Sequence, residues 1–228
     1  MKEFGKDFMA LLFPELCKIC NNRLMHREKF ICTSCFYHLP EINYWAQNDN
    51  PTEKRFFGKF DIVHAYSLFR YVKDSDFHRL FVELKYRGCK ELGNYLGEYF
   101  AVKMQEAGIC EDINYLVPVP LHPKRYKKRG YNQSERIAQG ITGILKKEVI
   151  PNNLYRKKAN TSQTKKGVYE RWENVSGIFA LKNPEEFVDK HILLIDDVLT
   201  TGSTITACAE TLSTVKNIQI SVATLAIT

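Results

Sequence analysis

The segment HILLIDDVLTTGST, residues 191–204, carries the clearest structural signal in the chain. Its apolar run from Ile192 to Ile195 is bounded by polar residues, which is typical of a short strand buried on both faces of a parallel sheet. Two adjacent carboxylates, Asp196 and Asp197, follow this run, and a loop of threonine, glycine and serine comes next. A helix is predicted to begin near Ser203 and to continue to residue 212. The segment therefore predicts a strand, a loop and a helix of an open α/β sheet.

The same segment predicts a ligand site. In open α/β sheets, ligands bind in the crevice beyond the carboxyl ends of the strands. Free N–H groups and the helix dipole at the start of the next helix favour an anion there, and carboxylates accept hydrogen bonds from sugar hydroxyls. A sugar phosphate has a phosphate for the helix start and hydroxyls for the carboxylates. The alternative is a plain turn with Asp as turn former and Ser or Thr as N-cap. A plain turn, however, requires neither paired acids nor a glycine flanked by four hydroxyl residues.

The composition indicates an ordinary globular protein. A chain of 228 residues allows one domain with a small appendage, and an apolar content of 44% is usual for a soluble protein. The net charge of +7 permits a polyanionic partner. No apolar run is long enough to span a bilayer, and the apolar part of residues 1–17 is too short for a signal peptide. We therefore predict a cytoplasmic protein without an integral membrane segment, whose cysteines stay reduced.

Four cysteines form two pairs, each with two residues between its members: Cys17 with Cys20, and Cys32 with Cys35. Two such pairs can present four thiolates to one tetrahedral ion, which predicts a structural Zn²⁺ site. The alternative is a set of paired redox thiols. A segment this short cannot bury a core of its own, so the metal would stabilise its fold. Four sulfur ligands leave no coordination position open for catalysis.

The rest of the chain predicts a linker and a larger α/β domain. The run QNDNP at residues 47–51 has the composition of a loop. We therefore predict a zinc module at 1–45, a linker at 46–60 and a domain at 61–228. Within the domain, strands are predicted at 62–69, 115–119, 177–181, 192–195 and 218–227, and helices at 77–84, 91–105, 132–147 and 203–212. Their alternation predicts a mostly parallel sheet with helices on both faces.

A strongly basic segment, VPVPLHPKRYKKRGYNQSE at residues 117–135, follows a predicted strand. A cationic loop beyond the carboxyl end of that strand could hold a pyrophosphate, and Arg125, Lys128 and Arg129 are the candidates for stabilising it. The alternatives are a solvated basic loop or a nucleic-acid surface. Lys85 is a weaker candidate, because a lysine near the end of a helix is usually solvated.

A second polar, lysine-rich segment spans residues 156–179 and lacks apolar periodicity before Val168. A stretch of this kind inside a compact domain is usually a functional lid or disordered. We predict a lid that closes over the ligand. Its polar residues without an obvious role in the core are Thr161, Gln163, Arg171 and Asn174.

Four features in one order resemble the ComF family of phosphoribosyltransferase-like proteins. They are the four-cysteine module, VPVPLHPKRYKKRGYNQSE, the R-x4-T-x-Q stretch from Arg156 to Gln163 with a later R-x2-N, and ILLIDDVLTTGST. The segment LKYRG at residues 84–88 matches the same pattern, and the similarity extends from about Leu12 to Ala226. The resemblance implies a type I phosphoribosyltransferase fold, with the small zinc module in front of the parallel-sheet domain. It also implies a link to natural competence and DNA uptake.

The resemblance further implies the ligands, which are 5-phosphoribosyl-1-pyrophosphate (PRPP) and Mg²⁺. By resemblance, Asp196 and Asp197 would contact the ribose hydroxyls, and the loop after them would hold the 5′-phosphate. The predicted PRPP-binding residues are Asp196, Asp197, Val198, Leu199, Thr200, Thr201, Gly202, Ser203, Thr204 and Lys128; the predicted catalytic residues are Asp196, Asp197, Arg125 and Arg129. Purine-type relatives often have an acid where this chain has Thr200, which argues against simple purine salvage.

Three functions are compatible with these features. The first is transfer of phosphoribose from PRPP to a nitrogen acceptor, with release of pyrophosphate. The second is a non-catalytic PRPP sensor that binds single-stranded DNA, because basic residues are interleaved with Tyr126, Tyr131, Tyr169 and Trp172. The third is an adaptor whose zinc module contacts a protein of the competence machinery.

Overall fold

The computed structural model of the protein describes residues 14–44, 47–157 and 177–228. Its helices are α1 Thr33–Tyr37, α2 Pro51–Lys54, α3 His78–Tyr86, α4 Lys90–Glu106, α5 Pro123–Arg129, α6 Gln133–Leu145 and α7 Ser203–Leu212. Its strands are β1 Ala65–Arg70, β2 Tyr115–Pro118, β3 Glu148–Val149, β4 Leu154–Arg156, β5 Phe179–Leu181, β6 His191–Leu199 and β7 Gln219–Ile227, and a 3-10 helix spans Pro184–Phe187. Within these ranges, no helix has both the length and the apolar character needed to cross a bilayer. Most of the predicted lid, with Thr161, Gln163, Arg171 and Asn174, lies outside the described residues.

Five strands form one parallel sheet in the order β1-β7-β6-β2-β3. β6 lies at the centre, where it pairs with β7 on one side and with β2 on the other. Because the strands are parallel, their carboxyl ends meet at one edge of the sheet. The predicted α/β fold with a parallel sheet is confirmed. β5 instead pairs antiparallel with β4 in a separate two-stranded sheet.

Two apolar clusters cover the two faces of this sheet. The first contains Leu193 and Ile195 of β6 together with side chains of α3, α4 and α6. The second contains Ile192 and Leu194 together with side chains of α7. Successive side chains of a strand point to opposite faces, so the apolar run of β6 contributes to both clusters. A strand buried on both faces in this way accounts for the continuous run of apolar residues in the sequence.

β6 is longer than the apolar run that predicts it. The strand continues through Asp196, Asp197 and Val198 to Leu199, because Asp196 pairs with Thr224 and Val198 with Ala226 of β7. The two acids therefore belong to the strand itself and not to the loop after it. Pairing with β7 continues the strand through two aspartates, a residue type that is depleted in strands.

The basic segment is a helix and not the loop that its composition predicts. Pro123 occupies the first turn of α5, where a missing N–H leaves no hydrogen bond unmade. The side chain of His122 accepts a hydrogen bond from the backbone N–H of Lys124 at 3.1 Å and caps the helix. Gly130 ends it in the left-handed conformation, with a φ of 77°. The lysines and arginines are therefore distributed around a short helix.

Residues 46–60 are predicted as a linker, yet the part described from residue 47 onward is packed. Asn50 and Glu53 form a capping box around α2, and the side chain of Asn50 also donates to the carbonyl oxygen of Ala65 at 3.1 Å. Phe56 is fully buried in the second cluster. The polar composition reflects helix capping and does not indicate a solvated connection.

Helices α4 and α6 approach each other so closely that their backbones touch. A Cβ atom on Gly140 of α6 would lie 2.0 Å from the carbonyl oxygen of Asn94, and a Cβ atom on Gly97 of α4 would lie 2.2 Å from that of Ile137. Both obstacles are backbone atoms, which cannot rotate away. Two glycines thus set the distance between the helices that cover one face of the sheet.

Gly140→Ala is expected to lower the free energy of unfolding by about 3 kcal/mol, because α6 must move away from α4. Urea unfolding measures this change. Gly143→Ala is the matched control, since Gly143 lies on the same helix with open space around its Cβ position. That control should be neutral or stabilising by up to about 1 kcal/mol. Equal effects of the two substitutions would contradict the close contact.

Candidate functional site

A cavity of about 320 Å³ lies at the carboxyl edge of the sheet, between the ends of β2 and β6. Acidic and cationic side chains share its wall. The acids are Asp196 and Asp197, and the cations are Lys85, Arg125, Arg129 and Arg156. The backbone N–H of Val119 donates to the carbonyl oxygen of Ile195 at 2.9 Å, which holds the exit of β2 against β6. The fold thus brings the acid motif and the basic segment together, as the sequence predicts for the carboxyl edge.

Asp196 is held at the end of β6 by two hydrogen bonds to one oxygen. Its Oδ1 accepts from the hydroxyl of Ser134 at 3.0 Å and from the backbone N–H of Asp197 at 2.9 Å. Burial and the neighbouring charge of Asp197 nevertheless raise the pKa of Asp196 to about 7. The two hydrogen bonds and the charge of Lys85 act in the opposite direction. Near neutral pH both the protonated and the ionised form of this carboxyl group are therefore populated.

Asp197 forms an ion pair with Lys85 of α3. Nζ of the lysine lies 3.1 Å from Oδ1 of the aspartate, and the side chains are only 22% and 14% exposed. The expectation that Lys85 is solvated is therefore wrong. Lys85 does lie near the end of α3, as the sequence indicates. That end of the helix, however, faces the end of β6 and not the solvent.

The loop after β6 leaves the start of α7 without a side-chain cap. Gly202 is the N-cap residue, has a φ of 78° and offers no side chain to the helix. Residues 198–205 and Asp196 surround a hollow of about 30 Å³ at this point. Uncapped N–H groups and the helix dipole favour an anion there. The hydroxyl of Thr201 accepts from the backbone N–H of Ser203 at 3.4 Å, but the N-cap residue is a glycine and not the Ser or Thr of the plain-turn interpretation.

Residues that follow α2 support the same loop from outside. A Cβ atom on Gly202 would lie 3.1 Å from the ring of Phe56, so this ring lies directly against the glycine. Nζ of Lys59 lies 3.5 Å from the carbonyl oxygen of Thr201. The side chain of Arg55 donates to the carbonyl oxygen of Thr228. The segment predicted as a linker thus helps to shape the candidate site.

The predicted cations differ in their relation to the cavity. Arg125 and Arg129 line it, whereas the exposed Lys128 of α5 does not contribute to its wall. The guanidinium of Arg129 lies over the ring of Tyr86, 5.2 Å from its centroid. Arg156 also lines the cavity, and its guanidinium lies 5.5 Å from the ring centroid of Phe179. Since helical residues three and four apart share a face, Arg125 and Arg129 reach the cavity together.

The first turn of α6 supplies site residues that the sequence reasoning missed. Asn132 caps the helix through Oδ1 and donates from Nδ2 to the carbonyl oxygen of Val119 at 2.9 Å. Ser134 bonds to Asp196, and Gln133 accepts from Arg129 at 2.8 Å. These residues are buried and polar. The sequence does contain a signal for these site residues. It is a run of three polar residues at the start of a helix, next to the predicted crevice.

The four cysteines of the N-terminal segment converge on one point. Their sulfur atoms all lie within 4.8 Å of one another, and the sulfurs of Cys20 and Cys32 are 3.7 Å apart. A tetrahedron of metal–sulfur bonds of about 2.3 Å has edges of about 3.8 Å. The donor set therefore fits a tetrahedral metal ion such as zinc.

This segment packs against the α/β body. Cys17, Ile19 and Ile31 belong to the first apolar cluster. The ring of Phe30 lies 5.5 Å from that of Tyr95 on α4. Lys18, located between the first two cysteines, has its Nζ 3.7 Å from Oε2 of Glu83 on α3. The cysteine segment thus shares a hydrophobic core with the helices next to the cavity.

Comparison with known proteins agrees with this geometry. A family model described as a phosphoribosyl transferase domain matches residues 127–227. The chain is 34% identical over 91 residues to Competence protein F of Haemophilus influenzae, with 40% of each chain covered. It is 25% identical over 212 residues to DNA utilization protein YhgH of Escherichia coli O157:H7, which covers 90% of this chain and 86% of that one. Identity with Competence protein ComFC of Bacillus subtilis is 32% over 122 residues, 53% of this chain and 47% of that one.

The parallel sheet, the acid motif at its carboxyl edge and the matched domain define a phosphoribosyl transferase-type domain of type I. These relatives and the matched domain support the ComF family for this chain. The alignment with Competence protein F spans less than half of that protein. A crystal structure of adenine phosphoribosyltransferase superposes with a TM-score of 0.38 at 17% identity, over 59% of this chain and 70% of that chain. A superposition this weak adds no support.

Asp196→Asn is expected to stabilise the protein at high pH. The folded state raises the pKa of Asp196 to about 7, so the folded state binds the proton more tightly than the unfolded state. The free energy of unfolding therefore falls as pH rises from about 4 to about 7. Asparagine keeps an oxygen for both hydrogen bonds and has no charge, so the variant should gain about 1 to 3 kcal/mol at pH 8. The gain should shrink toward pH 4.

Urea unfolding at pH 4, 6 and 8 measures this dependence. Asp74→Asn is the control, since Asp74 is an exposed acid that does not line the cavity, and it should be about as stable as wild type. A constant difference between wild type and Asp196→Asn at all three pH values would contradict the raised pKa.

Proposed function

We propose that this ComF-family protein binds PRPP in the cavity at the carboxyl edge of the sheet. The observation that carries the proposal is the juxtaposition of two carboxylates, Asp196 and Asp197, with the uncapped start of α7. Carboxylates accept hydrogen bonds from the two ribose hydroxyls, and uncapped amides favour the 5′-phosphate. One phosphorylated ribose satisfies both sets of groups.

The charges around the cavity support the pyrophosphate end of the same ligand. Lys85 is already paired with Asp197. The remaining cations of the wall are Arg125, Arg129 and Arg156. Planar guanidinium groups bind phosphate oxygens through two parallel hydrogen bonds. We assign pyrophosphate to Arg125 and Arg129, on the side of β2. Lys128 stays a prediction, because it is exposed and does not line the cavity.

A transfer reaction at this site would break the bond between C1 of the ribose and the pyrophosphate oxygen, and form a bond from C1 to a nitrogen acceptor. Negative charge grows on the leaving oxygen, where Arg125 and Arg129 would stabilise it; one preorganised donor of this kind contributes about 3 kcal/mol. Asp196 and Asp197 would fix the ribose ring through its hydroxyls. Bound Mg²⁺ would neutralise pyrophosphate oxygens, and the carboxylates are the oxygen ligands that it prefers. Thr200 offers no carboxylate to a purine acceptor.

We also propose that the protein takes part in DNA uptake. Its relatives carry the names competence protein and DNA utilization protein. The surface of α5 supports a second candidate function, the binding of single-stranded DNA by a PRPP sensor. Its lysines and arginines accompany Tyr126, which is 50% exposed, and an exposed ring can stack on a base.

The structure narrows the aromatic residues available for such stacking. Tyr131 is buried, and its hydroxyl donates to the carbonyl oxygen of Leu84, so the suggestion that it contacts DNA is wrong. Tyr169 and Trp172 lie outside the described residues. Tyr126 is left as the candidate from the sequence, and Tyr86, which is exposed and lies beneath Arg129, is a second candidate.

For the N-terminal segment we propose a structural Zn²⁺ ion held by Cys17, Cys20, Cys32 and Cys35. The convergence of four sulfurs supports it, and the packing of the segment on α4 gives it a structural role. Four thiolates complete the tetrahedral shell. The ion would therefore stabilise the segment and would not take part in the reaction.

Cys17→Ser is expected to lose the metal and to lower the midpoint of thermal unfolding, because metal binding contributes to folding of the segment. Metal analysis of the purified protein should give one zinc per chain for wild type. Cys89→Ser is the control, since Cys89 lies outside the cluster, and it should retain one zinc. Full zinc content in Cys17→Ser would contradict the assignment of this ligand.

The double substitution Asp196→Asn with Asp197→Asn is expected to weaken PRPP binding by about 100-fold, because it removes charged acceptors from both hydroxyl contacts. Isothermal titration calorimetry with PRPP and Mg²⁺ measures this affinity. Asp74→Asn should bind like wild type. An unchanged affinity in the double variant would refute the proposed site.

Phosphorus NMR of PRPP with a panel of bases, ammonia and single-stranded DNA separates the two functions. A transferase releases pyrophosphate with some acceptor. A sensor binds PRPP without turnover, and its DNA binding weakens steeply with salt.

A further inference from the structure

Gln133 is the first residue of α6 and one of the most buried polar residues next to the cavity. Its exposed fraction is only 1%, yet it lines the cavity wall. A buried polar side chain normally satisfies its hydrogen bonds within the protein. Gln133 does so at only one of its two ends.

The oxygen end of the amide holds an arginine. Oε1 of Gln133 accepts from Nη1 of Arg129 at 2.8 Å. The same guanidinium lies over the ring of Tyr86, so it is restrained from two directions. Arg129 is thereby fixed at the cavity wall before any ligand arrives.

The nitrogen end of the amide has no partner among the described residues. Nε2 of Gln133 is buried and donates to no acceptor there. The residues on either side are already committed, since Asn132 bonds to Val119 and Ser134 bonds to Asp196. A buried donor without an acceptor is unfavourable, and a ligand in the cavity that Gln133 lines would relieve the cost.

The chemistry of the surroundings identifies the group that this donor takes. An amide N–H₂ only donates, and it lies beside the guanidinium of Arg129 and at the positive end of a helix of 13 residues. These two donors and the positive end of the helix favour an anionic oxygen over a hydroxyl or an amine. The ribose hydroxyls instead require acceptors, which Asp196 and Asp197 supply.

We propose that Gln133 is a specificity-determining residue that recognises the pyrophosphate group of the ligand. Nε2 donates to a pyrophosphate oxygen, while Oε1 holds Arg129 in position for the same group. This assignment rests on the proposed function. It distinguishes PRPP from ribose 5-phosphate, which shares the ribose and the 5′-phosphate but lacks the group that Gln133 contacts.

Two substitutions of Gln133 test the assignment by calorimetry with PRPP, inorganic pyrophosphate and ribose 5-phosphate, each with Mg²⁺. Gln133→Glu keeps an oxygen for Arg129 and places an acceptor where the donor was. It should weaken PRPP and pyrophosphate binding at least tenfold and leave ribose 5-phosphate within about twofold. Gln133→Met has a similar size without either polar atom, should show the same pattern, and remains informative if a buried carboxylate prevents folding.

Gln139→Glu is the matched control. Gln139 lies on the same helix and accepts from Nη1 of Arg136 at 2.9 Å, but it is exposed and does not line the cavity. All three affinities should match those of wild type.

The assignment is overturned if both Gln133 variants bind pyrophosphate like wild type, or if ribose 5-phosphate weakens as much as pyrophosphate. The proposed function is refuted if wild type binds pyrophosphate and ribose 5-phosphate but not PRPP. In that case, the pyrophosphate titrations of the variants still decide the role of Gln133. Failure of wild type to bind any of the three ligands refutes both.

Discussion

Two neighbouring carboxylates at the end of a buried central strand are the constraint on which the site depends. Burial removes the hydration of Asp196, and the charge of Asp197 repels it, which is why the pKa of Asp196 rises. The protein offsets this cost from two helices. Ser134 of α6 donates to Asp196, and Lys85 of α3 pairs with Asp197. The positions of α3 and α6 against the sheet are therefore part of the electrostatics of the site.

The position of α6 depends on backbone geometry as well as on these side-chain contacts. Gly97 and Gly140 let α4 and α6 touch, which sets where the first turn of α6 meets the end of β6. Gly202 leaves the start of α7 uncapped and lies against the ring of Phe56. A substitution at any of these glycines would alter the cavity without changing a polar group in it.

The sequence predicted the features that depend on local pattern. These features are the apolar run of β6, the spacing of the cysteines and the acid motif, each of which is encoded in a few neighbouring residues. The structure contains the predicted parallel sheet and brings the four cysteines together. The sequence could not predict features that depend on tertiary contacts. The pairing of Lys85 with Asp197 and the burial of Tyr131 arise where distant segments meet. The sequence does not predict the helix of the basic segment, because its capping residues, His122 and Gly130, are equally compatible with a loop.

The last turn of α3 joins three distant parts of the chain through three consecutive residues. Glu83 pairs with Lys18 of the cysteine segment, the carbonyl of Leu84 accepts from Tyr131, and Lys85 holds Asp197. The cysteine segment is thus not a detachable appendage. A shortened protein that began after it would uncover the aromatic face of α4 that Phe30 and Phe36 now cover. Such an exposed apolar patch promotes aggregation, so expression of the α/β body alone is a poor route to its ligand chemistry.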